Sequence, residues 1–413
     1  MKKSLFALAA TTAIAGAAQA QSSVTVYGVM DVGYFGTNTS ATNTSGVATK
    51  AQTSRITNGN EETSRLGFKG SEDLGGGASA FFTVEIGLTP ANSAATGAST
   101  NTAGSAYENT SNKGGATVDN RQSFVGLKKA GIGQFSMGRV YTNAYAAQSA
   151  TSPTANVTQV GSVLYPQNGA AGSGTNNDAA LTLRASNAIN AQSDSFKGFR
   201  VNGMYVLNNA NATQTATVGT GNTNWNGWGL GADYTWNKLF VTYQYQSFKT
   251  QYSTGVASSA DALNNGMQAT ASTSIAAGAS SVAMWAAQNT SDKQQYAGAT
   301  YDFGILKAYA GWTGRKIAAA AGEQVNRTAQ QIGVRSYITP VIETWAAIGN
   351  GHIKDTTTAS ANFSAWQVGG NYYLSKRTNV YAIYGQSIAS NISGSTLSAA
   401  SQNGYSLGLR HTF

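Results

Sequence analysis

The chain of 413 residues contains no cysteine and only two histidines. Without cysteine there is no disulfide framework, no thiolate nucleophile and no metal site with cysteine ligands. The glycine-rich stretch around residues 73–77 lacks the lysine and the following helix of a phosphate-binding loop, so it is interpreted as a tight turn. The sequence therefore predicts neither a metal nor a cofactor.

Long apolar runs are also missing. After residue 20 no stretch approaches the roughly 18 apolar residues of a transmembrane helix. Residues 1–20 contain Lys2 and Lys3, a short apolar run and a small-residue ending, Ala18-Gln19-Ala20, which are the features of a secretory signal peptide. We expect residues 1–20 to be this signal and residues 21–413 to form a single domain, which is either soluble or spans a membrane as strands.

Proline is scarce, with 4 residues against 48 glycines and 20 tyrosines. Proline is excluded from central strands, glycine suits tight turns and tyrosine suits a membrane interface, so this composition favours a protein of many strands. The net charge is +9, but the basic residues are spread along the chain and no aromatic RNA-binding motif accompanies them. Nucleic acid is therefore not a predicted partner.

The last eleven residues, 403–413, alternate between two kinds of side chain. Leu407, Leu409 and Phe413 fall on one face, and Ser406 and Arg410 fall on the other. This period of two predicts a β-strand with one apolar and one polar face. Two interpretations fit the strand alone: a lipid-facing strand of a barrel, or the last strand of a soluble sandwich with its apolar face inward.

The rest of the chain favours the barrel. Seven predicted hairpins with short turns lie between a first strand at 23–34 and the last strand, which gives sixteen strands, an even number as in bacterial outer-membrane barrels. The segments between hairpins are long and polar, and eight such loops are improbable in a compact soluble domain. They are predicted at 37–53, 88–119, 142–180, 209–224, 251–292, 315–327, 350–362 and 388–402. The predicted fold is all-β: a 16-stranded antiparallel transmembrane β-barrel.

Several motifs resemble those of general Gram-negative porins, most closely the β-proteobacterial porins of the Burkholderia, Comamonas and Neisseria kind. They are residues 64–70 (SRLGFKG), 72–75 (EDLG), 121–127 (RQSFVGL), 138–141 (GRVY), 372–378 (YYLSKRT) and 408–413 (GLRHTF). The resemblance implies a homotrimer of water-filled barrels in the cell outer membrane, with short periplasmic turns, long extracellular loops and an inward-folded third loop at 142–180. It also implies contact with outer-membrane lipid and lipopolysaccharide, and assembly by the barrel-assembly machinery with Phe413 as the signal.

The resemblance also points to the residues of a pore constriction. Arg65, Arg121 and Arg184 match the family's basic ladder, with Lys69 one step along. Independently, Arg65 and Lys69 share a strand face, and a charge facing lipid would cost about 2–4 kcal/mol near mid-membrane, so this face is expected to meet water. Further predicted pore-lining residues are Asp31, Glu85, Arg139, Tyr141, Tyr145 and Asp233.

The predicted third loop departs from the family pattern. Relatives usually carry acidic residues there, whereas residues 142–177 contain no Asp or Glu. We expect a net-positive constriction that concentrates anions and repels cations. Small hydrophilic anions such as phosphate, sulfate or carboxylates would then pass by passive diffusion without tight binding.

Two other classes of function are considered. An enzyme would need catalytic groups, but His411 lies at the apolar end of the last strand and His352 in a predicted loop tip, and the acidic pairs Glu61-Glu62 and Glu72-Asp73 are assigned to a solvated loop and turn. The sequence therefore predicts no enzyme. An adhesin or surface receptor stays open as the alternative, because long loops could bind a host or a phage.

Overall fold

The computed structural model describes residues 23–91, 119–154, 160–164, 181–210, 223–252, 271–272, 281–282, 290–319, 324–355, 360–393 and 397–413. The strands are β1 (Ser23–Asn43), β2 (Ala48–Asn58), β3 (Arg65–Gly75), β4 (Ala78–Gly87), β5 (Asn120–Lys129), β6 (Gly133–Tyr141), β7 (Arg184–Ser193), β8 (Phe199–Ala210), β9 (Thr223–Trp236), β10 (Leu239–Tyr252), β11 (Ala271–Ser272), β12 (Ser281–Val282), β13 (Thr290–Asp302), β14 (Lys307–Ala319), β15 (Gln324–Thr339), β16 (Ile342–Asp355), β17 (Ser360–Tyr373), β18 (Thr378–Ser393) and β19 (Leu397–Thr412). One helix, α1, spans Asn143–Ala150. The predicted signal peptide lies outside the described residues, so the boundary at residue 20 stays a prediction.

Seventeen strands form one antiparallel sheet, and β11 and β12 form a second, two-stranded sheet. The large sheet closes on itself because β1 pairs with β19, from Val29 opposite Thr412 to Thr42 opposite Ala399. At the end of this seam, the N–H of Gly28 donates to the carbonyl of Phe413 at 3.0 Å, and the N–H of Phe413 donates back at 3.1 Å. The first and last strands therefore seal the barrel, as the final strand predicted.

Strands β2 and β3 share one position in the barrel wall. The lower part of β1 pairs with β3, ending at Val29 opposite Arg65, and its upper part pairs with β2, starting at Val32 opposite Asn58. Between them, residues 59–64 leave the wall, and we call this segment the β2/β3 insertion. The barrel therefore has sixteen strand positions, the predicted number.

Four of the eight segments that were predicted as loops are mostly strand, so these four loop predictions are wrong. Strands β1 and β2 cover most of 37–53, and the segments 315–327, 350–362 and 388–402 are largely filled by the ends of β14 to β19. Residues 37–43 and 388–402 are rich in Ser, Thr, Asn and Ala, and the few apolar residues of the other extensions, Ile317, Val325 and Ile353, are buried on the inner side. So few apolar residues give no sustained alternation, and the sequence pattern therefore did not reveal these strand extensions. The predicted short turns at the other rim are confirmed.

The two faces of the wall differ in the predicted way. In β10, Val241 and Tyr243 are 39% and 49% exposed on the outside, whereas Thr242 and Gln244 are 1% and 2% exposed inside. Leu407 and Leu409 of β19 likewise point outward. The apolar face is therefore outermost and the polar face lines the interior. Among the described residues, no helix has the length and apolarity needed to cross a membrane.

The described parts of the third loop lie inside the barrel. Helix α1 begins after Thr142, whose side chain accepts a hydrogen bond from the N–H of Tyr145 at 3.2 Å. Beyond the helix, the Thr151 hydroxyl lies 2.7 Å from that of Tyr296 on β13, and Gln331 of β15 accepts from the Ser162 hydroxyl at 3.0 Å. The described parts of the predicted third loop therefore fold inward, and the rest of 142–180 lies outside the described residues.

Side-chain amides of the wall hydrogen-bond to this loop, and a glycine of the wall lets the loop backbone approach closely. Gln331 also accepts from the N–H of Val163 at 3.1 Å, and the Gln367 amide on β17 donates to the carbonyl of Val160 at 3.0 Å. Gly385 on β18 lies so close that an added Cβ would overlap the Val160 carbonyl. A glycine there allows the loop backbone to touch the wall.

The seam between β1 and β19 gives a first testable prediction. The Phe413 ring lies over Gly28, and a Cβ at Gly28 would overlap that ring. We expect Gly28→Val to lower the free energy of unfolding by about 1–3 kcal/mol through overpacking, measured by urea denaturation in lipid vesicles. Met30→Val, also outward on β1, is the control and should have a smaller effect. Equal stability of Gly28→Val and the unmodified barrel would contradict the importance of this contact.

Candidate pore constriction

The β2/β3 insertion is held inside the barrel by one carboxylate. The backbone N–H groups of Glu61 and Glu62 donate to Asp31 Oδ2 at 2.8 and 2.7 Å. The Tyr381 hydroxyl donates to Asp31 Oδ1 at 2.5 Å, and the N–H of Asp31 donates to Ser64 Oγ at 2.9 Å. Asp31 is fully buried, so it anchors the insertion rather than lining open water.

The insertion brings two carboxylates into the interior that the sequence analysis had assigned to a solvated loop. Glu61 accepts hydrogen bonds from the amides of Asn371 and Asn379 at 2.9 and 3.0 Å. Arg410 Nη1 lies 3.3 Å from Glu61 and 2.9 Å from Glu62. That assignment was wrong because Asp31, a lumen carboxylate distant in sequence, supplies the acceptor that pulls the segment inward.

The predicted basic ladder begins beside this insertion. Arg65 forms ion pairs with Glu62 and, at 3.6 Å, with Glu85. Arg121 on β5 donates from Nε to Glu85 at 2.7 Å, and the Tyr27 hydroxyl donates to the same carboxylate at 3.1 Å. Glu85 and Arg121 are each 4% exposed. Buried charges of this kind need partners, and Glu85 is the shared one.

Tyr141 connects Arg121 to the next arginine. Arg121 Nη2 donates to the Tyr141 hydroxyl at 2.7 Å, and the Arg184 guanidinium lies 5.1 Å from the Tyr141 ring centroid, within cation–π range. Tyr145 packs on Tyr141 with 5.1 Å between ring centroids. The Nε and Nη1 atoms of Arg184 are buried without a hydrogen-bond partner, and Arg184 forms no ion pair with a described carboxylate.

Three other predicted residues are placed as follows. Arg139 on β6 donates to the carbonyl of Asn120 at 2.6 Å and to Ser186 Oγ at 2.9 Å, beside this cluster. Lys69 is exposed, with its ammonium 5.3 Å from the Tyr27 ring centroid. Asp233 lies apart on β9, where it pairs with Arg200 of β8 at 2.7 Å. Asp233 therefore belongs to a separate ion pair.

The cluster can act as a charge filter. Arg65, Arg121, Arg139 and Arg184 lie together with Glu62, Glu85 and Asp119, and Arg410 and Glu61 join them through the ion pair of Arg410 with Glu62. The positive excess is smaller than the sequence suggested, because Glu62 and Asp119 join the predicted Glu85. Fixed charges in a narrow, partly low-dielectric passage act strongly on passing ions.

Neither histidine belongs to a metal-binding group in the described part of the chain. No group of His, Cys, Asp or Glu there could hold a metal ion. His352 contacts Asn362 at 2.8 Å and His411 contacts Thr378 at 2.9 Å, and both rings are exposed. Each histidine thus has a polar neighbour that explains its position.

Removing the Glu62 carboxylate is expected to strengthen anion preference. Glu62→Gln leaves Arg65 and Arg410 less neutralised, so the chloride-to-potassium permeability ratio should rise about two- to fivefold at 0.01 M KCl, since one charge at ~4 Å in water is worth about 1 kcal/mol. Reversal potentials across a planar bilayer measure the ratio. Glu72→Gln, exposed near the periplasmic turn of β3, is the matched control. An unchanged ratio would show that Glu62 does not face the ion path, and a fall would contradict its predicted effect on ion preference.

Known proteins similar to this chain share both sequence and fold. A family model described as Gram-negative porin matches residues 7–391. The chain is 28% identical over 446 residues to an outer membrane porin protein of Bordetella pertussis, covering 100% of both chains. It is 31% identical over 223 residues to outer membrane porin protein 32 of Delftia acidovorans, covering 53% of this chain and 52% of that protein.

Solved structures show the same barrel. An anion-selective porin from Comamonas acidovorans superposes with a TM-score of 0.58 at 20% identity, covering 95% of this chain and 100% of the other. In-vitro folded OmpT of Vibrio cholerae, in its trimer form, gives 0.57 at 13% identity, with 95% and 99% covered. These likenesses establish the fold, and the family match extends over most of the chain. The chain belongs to the Gram-negative porin family and is an outer-membrane porin of the β-proteobacterial kind.

Proposed function

We propose that this porin is an anion-selective channel for passive diffusion of small hydrophilic solutes, with no enzymatic step. One observation supports it above others: five arginines (Arg65, Arg121, Arg139, Arg184 and Arg410) share the constriction with four carboxylates (Glu61, Glu62, Glu85 and Asp119), and Arg184 makes no ion pair with a described carboxylate. The solved structure titled as an anion-selective porin supports the same direction.

The described third loop adds no opposing charge. Its residues 142–154 and 160–164 contain no Asp or Glu, and polar amides hold it against the far wall. An anion passing between this loop and the arginines meets attraction from one side and neutral groups from the other. The neighbouring carboxylates weaken the attraction of the arginines, so anions are concentrated in the passage without being trapped, as conduction requires.

The test is the reversal potential of the channel under a KCl gradient. We expect a sign that shows chloride preference, strongest near 0.01 M salt and weak near 1 M, because the screening length falls from ~30 Å to ~3 Å over that range. Potassium preference at low salt would refute anion selectivity. Ladder variants with unaltered conductance and selectivity would instead favour the adhesin or receptor alternative.

The proposed assembly follows the family. We propose a homotrimer, in line with the trimer form of the Vibrio cholerae protein, together with export by a cleaved signal at residues 1–20. The proposed partners are outer-membrane lipid and lipopolysaccharide around the barrel and the barrel-assembly machinery at Phe413. The Phe413 position in the closing seam supports a role late in folding.

A further inference from the structure

Three lysines form a basic group on the outer face of the wall. Lys249, Lys293 and Lys316 are exposed, and each follows or precedes a residue that points inward: Phe248, Asp292 and Ile317 are 1%, 4% and 2% exposed. Because side chains alternate along a strand, the lysines point outward. We call them the outer lysine cluster.

The pairing of the strands puts these lysines next to one another. Lys293 on β13 lies directly opposite Lys316 on β14. Lys293 also lies opposite Ser247, two residues from Lys249, so Lys249 is its diagonal neighbour on β10. Directly opposed residues have Cβ atoms about 4.5–5.5 Å apart and diagonal ones roughly 7–8 Å. Three positive charges therefore lie on three adjacent strands within reach of one ligand group.

Nothing in the described part of the wall neutralises the outer lysine cluster. The nearest carboxylate in sequence, Asp292, points inward and pairs with Arg315 at 2.7 Å. No ion pair among the described residues involves any of the three lysines. Like charges directly opposite each other destabilise a sheet, so an arrangement of this kind favours a bound anion outside the protein.

The height of the cluster identifies where that anion lies. Lys293 is nine residues above the end of its strand at Asp302, and Lys316 nine residues above the start of β14 at Lys307. With a rise of ~3.3 Å per residue and a tilt of about 40°, this is roughly 20–25 Å above the periplasmic rim, near the top of an apolar band about 25 Å tall. Below the lysines the outer face of these strands is apolar, with Ala297, Ala299 and Trp312.

The adjoining strands show the same change of polarity with height. On β15 and β16 the apolar outer residues Ile332 and Ile348 are followed upward by Gln330 and Asn350, which hydrogen-bond each other at 3.1 Å. Asn326 lies opposite Lys316 in the next strand. The lysines therefore lie at the edge where hydrocarbon gives way to headgroups, and lysine is suited to bind phosphate there.

We propose that Lys249, Lys293 and Lys316 form a binding site for the phosphate groups of lipopolysaccharide in the outer leaflet. This site rests on the proposed contact with lipopolysaccharide and gives it a location on β10, β13 and β14. The cluster supplies three ammonium groups, and the neighbouring amides supply further donors to the same headgroup. Its occupant is held from the lipid side, so the site is independent of the ion path.

The experiment measures binding of purified full-length protein to lipopolysaccharide in detergent solution at low salt. The K249Q/K293Q/K316Q variant is expected to bind about tenfold or more weakly than the unmodified protein, given the attraction that each lysine exerts on an anionic surface. The charge-preserving K249R/K293R/K316R variant should bind normally. The matched control K128Q/K129Q/K376Q removes three exposed lysines from the periplasmic end and should also bind normally.

Two ligand controls identify the chemistry. Dephosphorylated lipopolysaccharide should bind the unmodified protein as weakly as intact lipopolysaccharide binds the glutamine variant. Micelles containing phosphatidylglycerol should not reproduce the difference between the variants. Equal binding of dephosphorylated and intact ligand, equal loss in the periplasmic control, or an equal effect with phosphatidylglycerol would each overturn the site.

Bilayer recordings separate this proposal from the pore. The glutamine variant should keep the conductance and ion preference of the unmodified channel, which also shows that it is folded. If the glutamine variant loses lipopolysaccharide binding but still forms an anion-selective channel, the result supports the lysine site, whichever solute the channel carries. Cation preference in both proteins would refute the proposed selectivity while leaving the lipid result intact.

Discussion

Arg184→Gln is expected to reduce the chloride-to-potassium permeability ratio about fivefold at 0.01 M KCl. The guanidinium lies over the Tyr141 ring and has Asp119 as an electrostatic neighbour, but it lacks the direct carboxylate contact that Arg65 and Arg121 make with Glu85. Removing a unit charge at ~4 Å from a passing ion in water changes its energy by about 1 kcal/mol. The change should be measured as a shift of reversal potential and should nearly vanish at 1 M salt.

A control distinguishes this local effect from a change in total charge. Lys376→Gln removes the same charge from the exposed turn between β17 and β18 and should leave the permeability ratio close to that of the unmodified channel. If both variants change selectivity equally, the general field of the protein governs ion preference. An unaltered ratio in Arg184→Gln would exclude this arginine from the ion path.

Freeing the third loop from the wall should have the second large effect. Gln331 and Gln367 bind the Ser162 hydroxyl, the Val163 N–H and the Val160 carbonyl. Each hydrogen bond contributes about 0.5–1.5 kcal/mol net, so the double variant Gln331→Ala/Gln367→Ala should loosen the loop by roughly 2–4 kcal/mol. We expect noisier single-channel currents whose mean conductance differs by about twofold from that of the unmodified protein.

The neighbouring residue gives a close control for the loop experiment. Gln330 precedes Gln331 but points outward, where it bonds to Asn350 at 3.1 Å. Gln330→Ala removes the same kind of side chain from the same strand without touching the loop, so its current traces should match those of the unmodified channel. Quiet, unchanged currents in the double variant would show that other contacts hold the loop.

The barrel itself was predictable because lipid imposes a strict alternation on each strand. The closing seam could be predicted from the apolar residues of β19, and the strand number from seven hairpins with short turns. The upper strand extensions were not predictable in this way. Segments such as residues 37–43 of β1 rise beyond the apolar band, where both faces are polar and alternation carries no signal.

The site was predictable only in part, for a different reason. Arg65, Arg121 and Arg184 could be singled out by resemblance, and the structure brings them together with Glu85 and Tyr141. Their role in selectivity stays a prediction. Glu61 and Glu62 were missed because their position depends on backbone N–H groups binding Asp31, thirty residues earlier. A contact between main chain and a distant carboxylate leaves no local pattern in the sequence.

The β2/β3 insertion, which interrupts the second barrel strand, separates two tasks: narrowing the passage and setting its ion preference. The carboxylates of the filter come from the wall and from the β2/β3 insertion, which Asp31 and Tyr381 fix, while the described parts of the third loop, residues 142–154 and 160–164, carry no charged side chain. Narrowing the passage and tuning its ion preference can therefore be altered by different substitutions. An engineer could reshape the aperture through the loop and retain the ion preference, or strengthen the anion preference at residue 62 and keep the aperture.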